Sequence, residues 1–153
     1  MPIVVKNVLG EIRSMAMGGG DRAIRARRLA ERIQKLGDYR WVGVYDVGAE
    51  NVSILGWTGN APEYPTFPVT KGLTGAAIAS KKAVIVGDVR NDPRYLTAFG
   101  NTLSEMIVPV LSPDGRVVGT VDVESEKANA FSASDQEMVA QCAEAALFLW
   151  LLG

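Results

Sequence analysis

The stretch that decides the fold is Arg116-Val117-Val118-Gly119-Thr120-Val121-Asp122-Val123-Glu124-Ser125. Its pattern has a period of two, and alternate side chains of a strand point to opposite faces. Val117, Gly119, Val121, Val123 and Ser125 form one face, suited to a core. Val118, Thr120, Asp122 and Glu124 form the other, which turns acidic toward the strand's end. In an antiparallel sheet the common fate of such a face is solvent. Periodicity alone therefore favours an exposed acidic strand end. The sharper alternative is a pocket with carboxylates in its floor.

Just upstream, Ser112-Pro113-Asp114-Gly115 places Pro and Gly where a type I hairpin turn prefers them. It joins this strand to a second apolar run at 105–111. Two further strands are predicted at 40–47 and 51–57, joined across 48–50, and a short one at 83–86. Helical spacing is seen in Val5, Val8, Leu9, Ile12 and Met15, and again in Ala26, Leu29, Ala30, Ile33 and Leu36. Asp21 is a predicted N-cap and Gly37 a predicted stop for the second of these helices. Thr70 is the expected cap of a short helix over 73–80. Ser134 and Glu137 read as the capping box of a last helix that runs to the end. The three prolines of 60–68 suggest a loop. The stretch 87–104 has no period, and a loop of that length in a compact domain is usually functional. Its Asp92-Pro93 pair is a candidate helical turn. The class is α+β: a central antiparallel sheet with helices on one face. The expected organisation is an N-terminal helix and glycine linker over 1–20, then one domain over 21–153.

Composition excludes several classes. The chain has 153 residues, 48% apolar and 22% charged, with net charge −1. That is ordinary for a globular domain and gives no bulk attraction to nucleic acid or acidic membranes. No histidine is present, which removes His-based triads and His metal sites. The one cysteine, Cys142, lies among apolar residues and is expected to be an inert buried thiol. A single cysteine also fits a reducing, cytoplasmic setting. No signal peptide and no membrane span are predicted. Arg25, Arg28, Arg32 and Lys35 share a helix stripe, read as a solvated face with a Glu31–Lys35 pair rather than a nucleic-acid surface.

Five pieces recur in order: Arg40-Trp41-Val42-Gly43-Val44-Tyr45, Lys71-Gly72-Leu73-Thr74-Gly75-Ala76-Ala77, Gly87-Asp88-Val89, Ser104-Glu105-Met106-Ile107-Val108-Pro109-Val110, and Val118 to Ser125. Together with Phe131 and Asp135 they resemble a GAF domain, and within that family the free methionine-R-sulfoxide reductases. The resemblance implies a sheet with the N- and C-terminal helices packed on one face and a ligand pocket on the other. It implies that Trp41 and Tyr45 line the pocket and that Glu105, Asp122 and Glu124 face it. It also places Thr74 and Ala98 where those reductases carry cysteines. Neither residue supplies the thiolate that sulfoxide reduction needs.

Those substitutions predict a protein that is not an enzyme and does not reduce free methionine sulfoxide. The expected function is binding of a small amine or amino-acid-like ligand. Carboxylates beside aromatic rings suit a cation. Two alternatives stand beside it: a divergent sulfoxide reductase or other carboxylate-based enzyme, and a structural dimerisation module. No cofactor and no metal are expected, since three carboxylates without a defined loop are a weak metal signature. The apolar end of the chain, 145–152, predicts a homodimer through the terminal helices.

Overall fold

The computed structural model describes residues 3–97 and 99–152. Six strands form one sheet in the order β3-β2-β1-β6-β5-β4. They are β1 (Trp41–Val47), β2 (Asn51–Trp57), β3 (Thr66–Pro68), β4 (Val84–Val86), β5 (Ser104–Leu111) and β6 (Val117–Ser125). Every neighbouring pair is antiparallel. The helices are α1 (Ile3–Met17), α2 (Arg22–Gly37), α3 (Gly72–Ser80), α4 (Ala133–Ala145) and a final turn α5 (Phe148–Leu151).

The period-two reading of β6 holds. Val121 and Val123 join Val42, Val44, Met106, Val108 and Val110 in a core shared with α1, α2, α4 and α5. The opposite face carries Trp41, Tyr45 and Val52 in one cluster, and Leu73, Ala77, Val89 and Ile107 in another. The sheet thus separates a helical layer from a second layer built by α3 and loops.

Asp21 caps α2 as predicted, its carboxylate accepting from the Ile24 amide at 2.9 Å. Four local expectations are corrected. The segment 60–68 ends in β3, because Thr66, Phe67 and Pro68 pair with Ser53, Val52 and Asn51 at the sheet edge, where a proline is tolerated. Thr70 does not cap α3; Lys71 is the cap residue and offers no side-chain bond. Gly72, at φ +72°, turns the chain onto that helix in a conformation that favours glycine. The helical turn expected at Asp92 forms earlier, at Val89–Asn91, because the Asp88 carboxylate accepts from the Arg90 amide. The last helix is capped by Ser132 and Asp135 in a reciprocal box, two residues before the expected pair, and it breaks before α5.

The basic stripe of α2 serves the fold. Arg25 is buried and donates to the Ala16 and Gly20 carbonyls, and Arg32 donates to Glu11 at 2.7 Å. These bonds fix the α1–α2 corner. Glu31 faces Arg27 at 3.7 Å, one turn on the other side from the expected Lys35. Among the described residues, no helix is long and apolar enough to cross a membrane.

Candidate functional site

Strand register brings the acidic residues together. On β1, Trp41 lies opposite Glu124, Gly43 opposite Asp122 and Tyr45 opposite Thr120. On the other side of β6, Glu105 lies opposite Glu124. Ligand oxygens of Glu105, Asp122 and Glu124 all lie within 4.8 Å of one another. That spacing lets one positive charge be shared among them, whether proton, ammonium or metal ion.

The three side chains are buried, so the solvated reading of the acidic face does not hold. Glu105 and Asp122 are each 5% exposed and Glu124 is 0% exposed. Glu105 Oε2, Asp122 Oδ1 and Glu124 Oε2 have no hydrogen-bond partner. Burial, then the charges of its neighbours, pushes the Glu105 carboxyl well above its ordinary range. Burial and the nearby Glu124 do the same to Asp122. Glu124 is also raised by burial, but Thr102, Arg40 and Tyr95 pull it back. Its Oε1 accepts from Thr102 Oγ1 at 2.7 Å and from the Tyr95 hydroxyl at 3.4 Å. Glu124 is therefore the member best able to carry the negative charge. Glu105 and Asp122 are the pair most inclined to hold a proton.

A cavity of about 20 Å³ adjoins the cluster, lined by Tyr45, Tyr64, Phe67, Thr74, Glu105 and Asp122 among others. That is room for about one water. Burial and the three acids raise the Tyr45 phenol, so it stays a neutral donor. Thr74 lines the cavity as expected. Trp41 does not. Its ring packs edge-on against Phe99 at 5.1 Å, and its indole donates to the Asn60 carbonyl. Ala98 lies outside the described residues. Sequence reasoning missed Tyr64, Phe67 and Leu96. No motif marks them, and only their place in the fold brings them to the cavity.

Cys142 is fully buried in the helical layer, across the sheet from the acids. Burial pushes its thiol up to about 11. Its burial is what its apolar setting implied.

A profile of the GAF domain matches residues 21–149. The chain belongs to the GAF domain family. Among its relatives is the free methionine-R-sulfoxide reductase of Saccharomyces cerevisiae, 32% identical over 109 residues, which are 70% of this chain and 61% of the yeast protein. This GAF domain thus spans less than two thirds of that relative. A type II free methionine-R-sulfoxide reductase from Thermoplasma acidophilum matches in structure at TM-score 0.76 and 29% identity, over 84% of this chain and 94% of that one. The reductase of Neisseria meningitidis, solved with its substrate, matches at TM-score 0.84 and 26% identity, over 96% and 88%.

These likenesses correct one expectation. Thr74 and Ala98 suggested that the chain is not an enzyme. The three relatives just described are enzymes, and the inference from two missing thiols does not survive that. A missing nucleophile removes one component of a site; the buried carboxyl cluster is present regardless.

Proposed function

We propose that this GAF domain is a divergent sulfoxide-reducing enzyme that acts on a free, amine-bearing amino acid and takes its thiols from solution. The observation that carries the reading is the trio of buried carboxyl groups with unpartnered oxygens, two of which, Glu105 and Asp122, line a cavity. The similarity to free methionine-R-sulfoxide reductases supports the substrate class.

Each residue has a role that its environment suits. Ionised Glu124 attracts the ligand ammonium. Charge-assisted hydrogen bonds are roughly twice as strong as neutral ones. Tyr45 and Phe67, whose rings meet edge-on at 5.8 Å, supply an aromatic wall. A carboxyl proton held between Glu105 and Asp122 passes to the sulfoxide oxygen, the part of a general acid. Sulfur of an external thiolate then bonds the sulfoxide sulfur while the S–O bond breaks, and the oxygen leaves as water. A second thiol cleaves the new S–S bond. It releases the sulfide and a disulfide, and the two thiol protons balance the water. The sulfoxide gains two electrons and the two thiols lose them.

The test is turnover of free L-methionine-R-sulfoxide with dithiothreitol, read as methionine by chromatography. The expected result is thiol-dependent methionine formation above the protein-free rate. It should fall at least ~10-fold in Asp122→Asn, within the usual worth of an acid catalyst, and be unchanged in Cys142→Ser. A rate equal to the protein-free control, or equal in wild type and Asp122→Asn, overturns the proposal.

A further inference from the structure

Arg40 immediately precedes β1, and its guanidinium reaches groups of later segments. Its Nη2 donates to Thr102 Oγ1. Its carbon Cζ stands over the Phe99 ring, 5.1 Å from the centroid. Its Nε lies 3.8 Å from Glu126 Oε1, too far for a hydrogen bond. Asn101 also donates to Glu126 Oε1, at 2.6 Å. Phe99, Asn101 and Thr102 belong to the segment between the 89–91 turn and β5, described at 92–97 and 99–103. This loop covers the acids: Leu96 lines the cavity, and the Tyr95 and Thr102 hydroxyls reach Glu124.

The direction of the Thr102 bond matters. A guanidinium has donors only, so Thr102 Oγ1 must accept from Arg40. The one hydroxyl proton of Thr102 is then free to point at Glu124 Oε1. Arg40 therefore acts on Glu124 twice, by its charge and by fixing the neighbouring hydroxyl as a donor. Phe99, meanwhile, is held between the Arg40 guanidinium and the Trp41 ring. A cavity of about 20 Å³ is far smaller than an amino acid, so a ligand reaches the acids only when the walls of the cavity, Leu96 of this loop among them, move apart.

We propose that Arg40 is a positioning residue that keeps the 92–103 loop shut through Phe99 and orients the Thr102 hydroxyl onto Glu124. Opening the loop removes the Thr102 and Tyr95 hydroxyls from Glu124. The acid cluster is left short of donors at the moment a cationic ligand can enter. A ligand ammonium replaces them as donor to the acids. The inference refines the acid site of the proposed function. It needs no particular chemistry there.

The test uses no substrate, so its failure is separable from failure of sulfoxide reduction. Hydrogen exchange by mass spectrometry is compared for wild type, Phe99→Ala and Arg40→Met. Both variants should exchange at least ~10-fold faster within 92–103, a local opening that leaves the sheet protected. Infrared difference spectra then read the carboxyl groups at neutral pH. The groups facing Glu124 are Glu105, Asp122, Tyr95, Tyr45 and Arg40. Arg40→Met should add a carboxylic-acid C=O band that is absent in Arg40→Lys and absent in the double variant with Glu124→Gln. Unchanged loop exchange in Phe99→Ala overturns the latch. An unchanged carboxyl spectrum in Arg40→Met, or exchange that rises equally in helices and loop, overturns the positioning role.

Discussion

Replacing Glu105 by Gln should stabilise this protein, and the gain should depend on pH. The side chain is buried, and burial and its neighbours raise its carboxyl well above the ordinary 4.5. A group whose folded value is raised holds its proton in the folded state while the unfolded chain has released it. Stability then falls as pH rises from the unfolded value through the folded one, and stays low above it. The size follows from the spacing. Two full charges 4.8 Å apart repel by ~3.5 kcal/mol at an effective dielectric of 20. Removing one should recover on the order of 3 kcal/mol near pH 9, or roughly 6–12 °C in Tm for a chain of this size. Near pH 4 the carboxyls are neutral and the gain should vanish. Gln keeps the shape and adds an amide donor that Asp122 can accept. Calorimetry of wild type and Glu105→Gln at both pH values decides. An equal shift at the two pH values, or a lower Tm for the variant near pH 9, refutes the view of these acids as a self-repelling cluster.

Further outcomes follow from single contacts. Gly119→Ala puts a Cβ 2.1 Å from Trp150 Nε1, whose indole donates to the Tyr45 carbonyl at 3.1 Å; it should cost roughly 1–3 kcal/mol in urea denaturation, as overpacking does. Ser132→Ala removes half of the α4 capping box and should cost about 1 kcal/mol by the same measurement. Cys142 should react with an aromatic disulfide reagent at least ~100-fold more slowly in native than in unfolded protein, since its thiol is buried and raised to about 11. For the homodimer, we propose an interface at the exposed apolar ends of the terminal helices, where Val4 is 73% exposed and Leu152 57%. Light scattering should then show a dimer in wild type and a monomer in Val4→Glu/Leu152→Glu. Trp150→Glu is no test, because Trp150 is buried.

The fold was legible wherever local pattern and long-range packing agree. The alternation in β6 carried both the core face and the acidic face, and Asp21 announced α2. What local pattern could not carry was the fate of the acidic face. Period two says that Asp122 and Glu124 lie together. It is silent on what covers them. The cover comes from α3, β3 and the 92–103 loop, elements with weak signals of their own. Thr66 to Pro68 looked like loop because a proline-containing edge strand is short and irregular. The cap of α4 was misplaced because Ser132-Asp135 and Ser134-Glu137 carry nearly the same spacing signature, and only the bonds tell them apart. The family resemblance placed Trp41 in the pocket wall. Its face is right, but Phe99 stands in front of it, a contact between residues far apart in sequence.

The sheet order sets a constraint on synthesis. β1 lies at the middle of the sheet, and one of its two neighbours is β6, formed some seventy residues later. Trp150, later still, bonds the backbone of Tyr45. A nascent chain that has produced β1, β2 and β3 holds only half of the sheet, with one long edge of β1 unpaired and its aromatic residues uncovered. Such edges invite pairing with other chains. The acid site cannot exist at that stage either, because all three of its carboxylates are still unmade. Folding is therefore a late event in the synthesis of this domain. A ribosome stalled before residue 117 would release a fragment prone to aggregate, not a partly working domain.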